Sequence, residues 1–483
     1  MTSLTALRSV VQRARRRLSG TPWDGLRTEA GGELAAALCG AGDDAGLLVP
    51  ALRELEDRGA SDRHGLLSGL LRAHPRPHHA NRLLAEDEMA RRATELVSFP
   101  VNVWMDLSNV CTVQCRFCKY VHKHHVPEHL SLDHIQSIEW LKYVSLLNLS
   151  AGTAESIANP RFVEIFEWMR AAHPHLHMTL LSNGKTLDEK ILRSLRDKLD
   201  ALHVSMNAGN PEDYERVIKD GSWERFSRNV AAMKQIFAGS ARPKVTASFV
   251  LMRWNLDRAL QYLEFAHEHG AHLVLFHHYY TPYIRDLHQG STAVLAEKFP
   301  REESLYYDRE RADAMFDRIE ERARSLGVEV SVPPRFRELA SSRIYFGVRA
   351  ADEPPADCAY PWTNLYLLWG FKSRREEVTI CCGLASDLGV FFDRDEIASE
   401  NGLRAVWNAP TLQAYRRTVN GKAVNPICAK CRTIDRFDPE AEYPHQAEFF
   451  EYAGLPTPAH HARRTLPLAE SAEGSLLERP STQ

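Results

Sequence analysis

The sequence predicts an α/β protein: a partial (β/α)6 TIM-like barrel, preceded by a helical N-terminal extension and followed by a small, cysteine-rich C-terminal domain. Two observations lead to this prediction. From about Pro100, short apolar runs alternate with amphipathic helical windows, which is typical of βα units around a parallel sheet. Eight of the nine cysteines fall into two groups, at 111–118 and 358–431, and clustered cysteines in a reducing compartment indicate metal binding rather than disulfides.

The N-terminal extension covers residues 1–95. It is rich in Ala, Leu and Arg, and its leucines recur at helical spacing, as at Leu66, Leu67, Leu70 and Leu71. The segment has no run of alternating β-branched residues, so it lacks the strands that a winged-helix peptide-binding module needs. The sequence therefore predicts helices here, without a peptide-recognition fold.

The barrel is predicted over residues 96–300. Between its strands, apolar residues repeat at intervals of three and four, as at Phe162, Ile165, Phe166 and Met169, which indicates amphipathic helices. In such barrels the reactive groups lie at the C-terminal ends of the strands, where the βα loops gather. The six predicted strands are Val101–Leu107, Leu146–Ser150, His177–Leu181, Ala201–Met206, Val245–Leu251 and Leu273–His277.

Three further segments complete the chain. Residues 301–350 are predicted as a charged helical connection, and residues 351–450 as the small C-terminal domain that carries the second cysteine group. Residues 455–483 are rich in Pro, Ala, Ser and Glu, with little apolar periodicity, so they are predicted to form a disordered tail.

Charge and hydropathy exclude several classes of partner. The 60 Lys and Arg residues nearly balance the 63 Asp and Glu residues, and the net charge of −3 gives no field that would attract nucleic acid or an acidic membrane surface. No apolar stretch has the length of a signal peptide or a transmembrane helix. We therefore expect a cytoplasmic protein without nucleic-acid or membrane partners.

The first cysteine group follows the first predicted strand and has the spacing C-x3-C-x2-C, at Cys111, Cys115 and Cys118. Three thiolates at this spacing can hold a 4Fe-4S cluster and leave one iron without a protein ligand. An open coordination site allows a metal to bind and activate a small molecule. A structural zinc site remains an alternative, with a fourth ligand from the nearby histidines, which are His122, His124, His125 and His129.

This spacing, with Phe117 directly before the third cysteine, resembles the signature of the radical S-adenosylmethionine (SAM) superfamily. In that family SAM chelates the open iron, accepts one electron from the cluster and splits to methionine and a 5′-deoxyadenosyl radical, which abstracts hydrogen from the substrate. The resemblance implies that Phe117 packs near the adenine of SAM. It also implies an electron donor such as flavodoxin or ferredoxin.

The same resemblance assigns SAM contacts to residues at the ends of later strands. The segment Ser150–Glu155 is similar to the family's Gly-Gly-Glu-Pro motif, in which backbone carbonyls and the glutamate receive the methionine ammonium group. The guanidinium of Arg253 would grip the methionine carboxylate. The SAM-binding residues that the resemblance implies, besides Phe117, are Gly152, Glu155, Ser182, Asn183, Ser205, Asn207 and Arg253.

The second cysteine group resembles the SPASM or shorter twitch domain, which holds an auxiliary cluster in many radical SAM enzymes. Its five cysteines are one more than a four-ligand cluster needs and too few for two such clusters, so one auxiliary 4Fe-4S cluster is expected. The expected ligands are Cys358, Cys382, Cys428 and Cys431, with Cys381 as a spare or as a substitute for Cys382. A four-cysteine zinc ribbon remains the alternative.

Polar residues at the end of the last predicted strand are the candidates for contact with the substrate. His277, His278 and Tyr280 can donate or accept protons near neutral pH. Together with the missing peptide-recognition module, they favour a small polar substrate, such as a carbohydrate or an aminoglycoside intermediate of natural-product biosynthesis, that is dehydrated, dehydrogenated or epimerised.

Two other functions stay open from sequence. One is a radical SAM maturase that modifies a peptide, as many relatives with auxiliary-cluster domains do. The other is a non-catalytic iron-sulfur protein, for which two cluster sites without a SAM pocket would suffice. The set of predicted SAM contacts argues against the second of these.

Overall fold

The computed structural model describes residues 71, 74, 76–118, 127–152, 154–219, 221–279, 298–339, 358–368, 376–381, 390–420, 424–431 and 446–456. Most of the predicted N-terminal extension and the predicted tail beyond residue 456 lie outside the described residues. Among the described helices, none combines the length and the apolar character needed to cross a membrane.

The fold is organised by one ten-stranded sheet in the order β12-β11-β10-β1-β3-β4-β5-β7-β8-β9. Neighbours from β10 to β9 are parallel, whereas β11 pairs antiparallel with β10 and β12. A separate two-stranded sheet joins β2 and β6. The strands are β1 Asn102–Met105, β2 Gln114–Cys115, β3 Leu146–Asn148, β4 His177–Ser182, β5 Ala201–Ser205, β6 Ile218–Lys219, β7 Lys244–Leu251, β8 Leu273–His278, β9 Glu329–Ser331, β10 Asn364–Leu368, β11 Glu376–Thr379 and β12 Val390–Phe392.

Helices follow most strands, as expected for βα units, and the α/β fold class predicted from sequence is confirmed. Side-chain caps define several helix starts; the Asn210 side chain, for example, accepts from the Asp213 amide at the start of α5. The α-helices are α1 Pro77–Ala90, α2 Leu132–Ser137, α3 Phe162–Ala172, α4 Glu189–Leu195, α5 Pro211–Val217, α6 Trp223–Phe237, α7 Ala259–Glu268, α8 Arg309–Leu326, α9 Phe336–Leu339, α10 Tyr360–Thr363, α11 Arg394–Ala398, α12 Glu400–Trp407, α13 Pro410–Val419, α14 Pro426–Cys431 and α15 Gln446–Tyr452.

The alternation of side chains along each strand separates a helix-covered face of the sheet from the opposite face, which we call the inner face. Phe249 of β7 stacks on Tyr262 of α7 with ring centroids 5.2 Å apart. Phe249 and every second residue before and after it on β7 therefore face the helices. The residues that alternate with them lie on the inner face. There Trp104 of β1 and Tyr366 of β10 stack with centroids 4.4 Å apart.

The sheet extends beyond the six strands expected from the sequence. β9 adds a parallel strand beside β8, and β10 adds one beside β1, with Asn102 opposite Asn364. Part of the predicted C-terminal domain, 351–450, therefore completes the main sheet. Helix α1 is also bound to the barrel, because the Asn81 amide donates to the carbonyl of Phe99 at 2.9 Å and its oxygen accepts from the Phe99 amide at 2.7 Å.

Candidate functional site

The first cysteine group lies on the loop that leaves β1 at the carboxyl edge of the sheet. Pairing of β2 with β6 places Cys115 opposite Ile218, and the Arg116 amide donates to the Val217 carbonyl at 2.9 Å. The Cys118 amide turns back to the Cys115 carbonyl at 3.1 Å. These backbone bonds fold the loop so that its three thiols approach one another.

The environment of the three thiols fits a cluster held by cysteine. Burial raises the pKa of the Cys111 thiol to about 12, and burial together with Cys118 and Cys111 raises the pKa of Cys115 well above its usual range. Three half-buried thiols on one loop can bind an iron-sulfur cluster, whose positive charge stabilises their thiolate forms. Among the residues that the structure describes, no three or more His, Cys, Asp or Glu side chains lie close enough together to hold a metal ion.

The zinc alternative depended on the neighbouring histidines. His129 is exposed and forms an isolated backbone bridge with Ser108. The other three candidates, His122, His124 and His125, lie outside the described residues.

Glu155 connects three of the predicted site elements. Its amide donates to the Val110 carbonyl at 2.9 Å, and its Oε2 accepts from the Asn183 amide at 2.8 Å. Burial raises the pKa of this carboxyl group to about 7. Its Oε1 is buried without a hydrogen-bond partner among the described residues, so it can accept from an ammonium group. Gly152 lies beside it in a left-handed turn with φ of +79°, and the space that a Cβ would occupy is open.

The ends of β4 and β5 supply the next predicted residues. The Asn183 side chain donates to Thr112 Oγ1 at 3.1 Å and lies 3.9 Å from Cys111 Sγ, so it reaches the cysteine loop. Ser182 Oγ accepts from the amide of Gly184 at 3.1 Å. Asn207 is buried with φ of +59°, and its side chain donates to the carbonyl of Ser205 at 3.4 Å. The structure thus brings Glu155 and Asn183 to the cysteine loop, and it places the Ser182 side chain at the Glu155 carboxyl group.

Two predicted SAM contacts have other partners in the structure. Arg253 is exposed, its Nη1 donates to the Glu302 carbonyl at 3.1 Å, and its described contacts do not reach the cysteine loop. Phe117 packs against Met252 and Tyr279, in the position of an ordinary apolar contact. The predicted grip of Arg253 on a carboxylate therefore has no geometric support.

The histidines at the end of β8 do not share one face, which corrects the expectation that both meet the substrate. His277 lies on the inner face and is exposed there, and desolvation by the surrounding side chains lowers its pKa. His278 has the opposite parity and packs against Phe316 and Phe336, with ring centroids 5.7 and 5.0 Å away. Adjacent residues of a strand point to opposite faces, so the separation follows from strand geometry. Tyr280 lies outside the described residues.

The inner face carries polar residues that the sequence analysis did not single out. Asn148 of β3 is opposite Thr179 of β4, and His203 follows on β5, one strand further along the sheet. Asn148 Oδ1, Thr179 Oγ1 and His203 Nε2 are buried and have no hydrogen-bond partner among the described residues. Burial lowers the pKa of His203 to about 4, and the nearby His277 contributes to this lowering. His203 is therefore neutral at pH 7. We call these three residues the inner polar wall.

A signal for the inner polar wall was present in the sequence. Strands of a parallel sheet with both faces covered are apolar on both sides. Within the predicted strands, Thr179 and His203 instead lie between apolar neighbours, at alternate positions. That pattern distinguishes an inner face that meets a polar ligand from one filled by apolar side chains.

The second cysteine group also converges. Cys358, Cys381 and Cys428 are buried, and the Tyr415 hydroxyl lies 2.9 Å from Cys428 Sγ. Burial and then the charges of these three thiols raise the pKa of Tyr415. A buried set of donors that contains only sulfur fits an iron-sulfur cluster.

The structure adds Cys381 to the candidate ligands of this group. It brings Cys381, which the sequence analysis kept as a spare, to Cys358 and Cys428. Cys382 lies outside the described residues, and Cys431 is described only as the last residue of α14. Cys381 is therefore a candidate ligand together with Cys358 and Cys428, and the assignments of Cys382 and Cys431 stay predictions.

Comparisons with known proteins concern the family of one segment of the chain and its fold. Residues 105–266 match the model of the family described as "Radical SAM superfamily". A crystal structure of Streptococcus suis SuiB matches with a TM-score of 0.50 at 14% identity, over 80% of this chain and 80% of that chain, which shows a similar fold. SuiB bound to the precursor peptide SuiA matches with a TM-score of 0.48 at 12% identity, over 70% of this chain and 72% of that chain. No curated protein matches the sequence.

Proposed function

We propose that this protein, whose residues 105–266 belong to the radical SAM superfamily, is an enzyme that removes a hydrogen atom from a small, hydroxyl-rich substrate. The substrate class we propose is a carbohydrate or an aminoglycoside intermediate of natural-product biosynthesis. The outcome would be dehydration, dehydrogenation or epimerisation, so the enzyme would be a lyase or an oxidoreductase. The observation that carries this proposal is the inner polar wall.

The inner polar wall suits a ligand with many hydroxyl groups. A buried polar atom left unpaired costs about 1–3 kcal/mol, so three such atoms favour a ligand that pairs with them. Asn148 Oδ1 accepts, the Thr179 hydroxyl donates and accepts, and one nitrogen of neutral His203 accepts. A sugar hydroxyl both donates and accepts, so it matches each of these atoms. The stacked pair of Trp104 and Tyr366 adds a flat apolar surface for the C–H face of a ring.

The two sulfur sites and the SAM contacts complete the proposal. Cys111, Cys115 and Cys118 would hold the 4Fe-4S cluster, and Glu155 and Asn183 would bind SAM. When bound, the cluster would supply one electron, and SAM would supply the capacity to abstract hydrogen. A one-electron donor of the flavodoxin or ferredoxin class would reduce the protein, and a cytoplasmic location would keep the cysteines reduced.

The chain's own residues would orient the substrate and accept a proton. Neutral His203 would accept a hydrogen bond from a substrate hydroxyl group, and His277, which is exposed on the inner face, would take the proton that a hydroxyl group loses during dehydration or dehydrogenation. The second sulfur site, at Cys358, Cys381 and Cys428, would hold one auxiliary 4Fe-4S cluster. The radical diol dehydratase of apramycin biosynthesis is similar in size and cysteine motif, which supports aminoglycosides as the first substrates to test.

A peptide-modifying maturase is the competing function. The SuiB structure with its precursor peptide shows that a protein of similar fold binds a peptide, but a likeness at 12% identity does not carry that substrate over to this chain. The two functions differ in what must fit against the inner polar wall: compact rings with hydroxyl groups, or an extended backbone.

The test is anaerobic reconstitution with iron and sulfide, followed by reduction with SAM and assay of 5′-deoxyadenosine, with Cys115→Ala as the inactive control. Aminoglycosides and peptides are then compared as substrates. We expect turnover of an aminoglycoside, and a raised KM in Thr179→Val. Turnover of peptides alone would establish the maturase, and no 5′-deoxyadenosine in any reaction would establish a non-catalytic iron-sulfur protein.

A further inference from the structure

Lys298 is a buried lysine that contacts the cysteine loop from a distant part of the sequence. Its side chain is 9% exposed, and its Nζ donates to the Cys118 carbonyl at 2.7 Å and to the Cys115 carbonyl at 3.3 Å. Lysine is almost never buried to this degree without partners, because its charge must be paired or hydrogen-bonded. These contacts place an ammonium group directly behind the loop that carries the three thiols.

The segment around Lys298 is held by other contacts, so its position does not depend on the lysine alone. The Tyr279 hydroxyl donates to the Phe299 carbonyl at 2.5 Å, at the end of β8. The Trp254 amide donates to Glu303 Oε2 at 3.0 Å, beyond the end of β7. The ends of β7 and β8 therefore hold the segment that contains Lys298 in place.

Lys298 also acts on the charge of the cysteine loop. Its Nζ donates to the backbone carbonyls of both Cys115 and Cys118, so its positive charge lies next to two of the three cysteines. In a partly buried site such charges interact much more strongly than in water. A cluster becomes more negative when it accepts an electron, and a fixed positive charge nearby stabilises that reduced form.

We propose that Lys298 is a positioning residue that fixes the loop from Cys115 to Cys118 and raises the reduction potential of the cluster held there. The inference rests on the proposed cluster at Cys111, Cys115 and Cys118. Reduction adds one electron from a donor of the flavodoxin or ferredoxin class and transfers no proton. Lys298 keeps its proton and its two hydrogen bonds throughout.

The experiment measures the midpoint potential of the reconstituted cluster in the full-length protein, by titration with dithionite and mediators and by electron paramagnetic resonance of the reduced cluster. The variants are Lys298→Met, Lys298→Gln and Lys298→Arg. The control is Lys244→Met, which removes the same charge from an exposed residue at the start of β7, at the opposite edge of the sheet. Iron and sulfide content is measured in each sample, so a missing cluster is distinguished from a shifted potential.

We expect Lys298→Met and Lys298→Gln to lower the ratio of reduced to oxidised cluster at least tenfold at a fixed potential, a shift of about 59 mV for one electron. Lys298→Arg and Lys244→Met should remain close to the wild type. Neutral variants that contain the cluster at an unchanged potential would overturn the inference. If both neutral variants lose the cluster while Lys298→Arg keeps it, the electrostatic part of the inference is wrong and Lys298 only positions the loop. Wild-type protein without a cluster would instead refute the proposed function.

Discussion

His203 gives the inner polar wall a pH dependence that can be measured as stability. Burial, followed by the charge of His277, lowers the pKa of His203 from 6.5 to about 4 in the folded protein. As the pH falls below 6.5, His203 becomes protonated in the unfolded chain but stays neutral in the folded protein. The stabilisation is therefore complete above pH 6.5 and is lost as the pH falls towards 4.

The size of this loss follows from the shift. Each pKa unit corresponds to about 1.36 kcal/mol, so the complete loss is about 3 kcal/mol, and about 2 kcal/mol is already lost at pH 5. His203→Gln removes the titrating group and keeps a polar side chain. Between pH 7.5 and pH 5, the free energy of unfolding of the wild type should fall by about 2 kcal/mol more than that of the variant.

The assay is urea unfolding, followed by circular dichroism at pH 7.5 and at pH 5. Thr179→Val is the matched control, because it alters another residue of the inner polar wall, on the neighbouring strand, without removing a titrating group. Its pH dependence should follow that of the wild type. If the stability of His203→Gln falls with pH in parallel with the wild type, His203 is not buried as a neutral imidazole and the reasoning fails.

Three further predictions follow from the site and its supports. Glu155→Gln should weaken SAM binding about tenfold or more in calorimetry, because a hydrogen bond to a charged group contributes about 1.5–3 kcal/mol; an unchanged Kd would contradict the role of the carboxylate. Gly184 and Gly239 both have positive φ, but a Cβ at Gly184 would lie 2.8 Å from the Phe226 ring whereas nothing lies near Gly239. Gly184→Ala should therefore destabilise by about 2–3 kcal/mol and Gly239→Ala by about 1 kcal/mol in thermal unfolding, and equal losses would contradict the steric argument. Cys428→Ser should remove about four irons per chain while SAM is still cleaved; wild-type iron content would exclude it as a ligand.

The strands of the barrel could be predicted because two local signals coincide in each βα unit. A strand expected at His177–Leu181 is found at His177–Ser182, and one expected at Val245–Leu251 is found at Lys244–Leu251. β10 has one of these signals, the apolar run Leu365–Leu368, but no amphipathic helical window next to it. It pairs with β1 through Asn102 and Asn364, which are 262 residues apart, and such pairing is fixed by tertiary structure rather than by local sequence.

The residues of the candidate site also divide into those that local sequence predicts and those that only the tertiary structure reveals. The cysteine spacing and the position of Glu155 are local in sequence, so they could be predicted, whereas Lys298 reaches the Cys118 carbonyl from 180 residues away. The separation of His277 from His278 has a different cause. It follows from strand parity and was available from the sequence once both residues were placed on β8.

The register of β10 determines which edge of the sheet carries each sulfur site. β10 runs parallel to β1, and β11 returns antiparallel, with Thr379 opposite Tyr366. Cys381 follows β11, so it returns to the level at which β10 and β1 begin, at the amino edge of the sheet.

Other contacts place the rest of the second sulfur site at the same edge. Cys358 directly precedes α10 and β10, and the Trp362 indole of α10 donates to the Ala93 carbonyl at 2.8 Å, in the segment that leads into β1. The first cysteine group, which begins at Cys111, follows the opposite end of β1. The inner polar wall lies on the strands between the two edges, so the second sulfur site lies on the side of the wall away from the first cysteine group. The second sulfur site is therefore better placed to hold the N-terminal segment, β1 and β10 together than to meet the reacting atoms, which is why Cys428→Ser is expected to spare the cleavage of SAM.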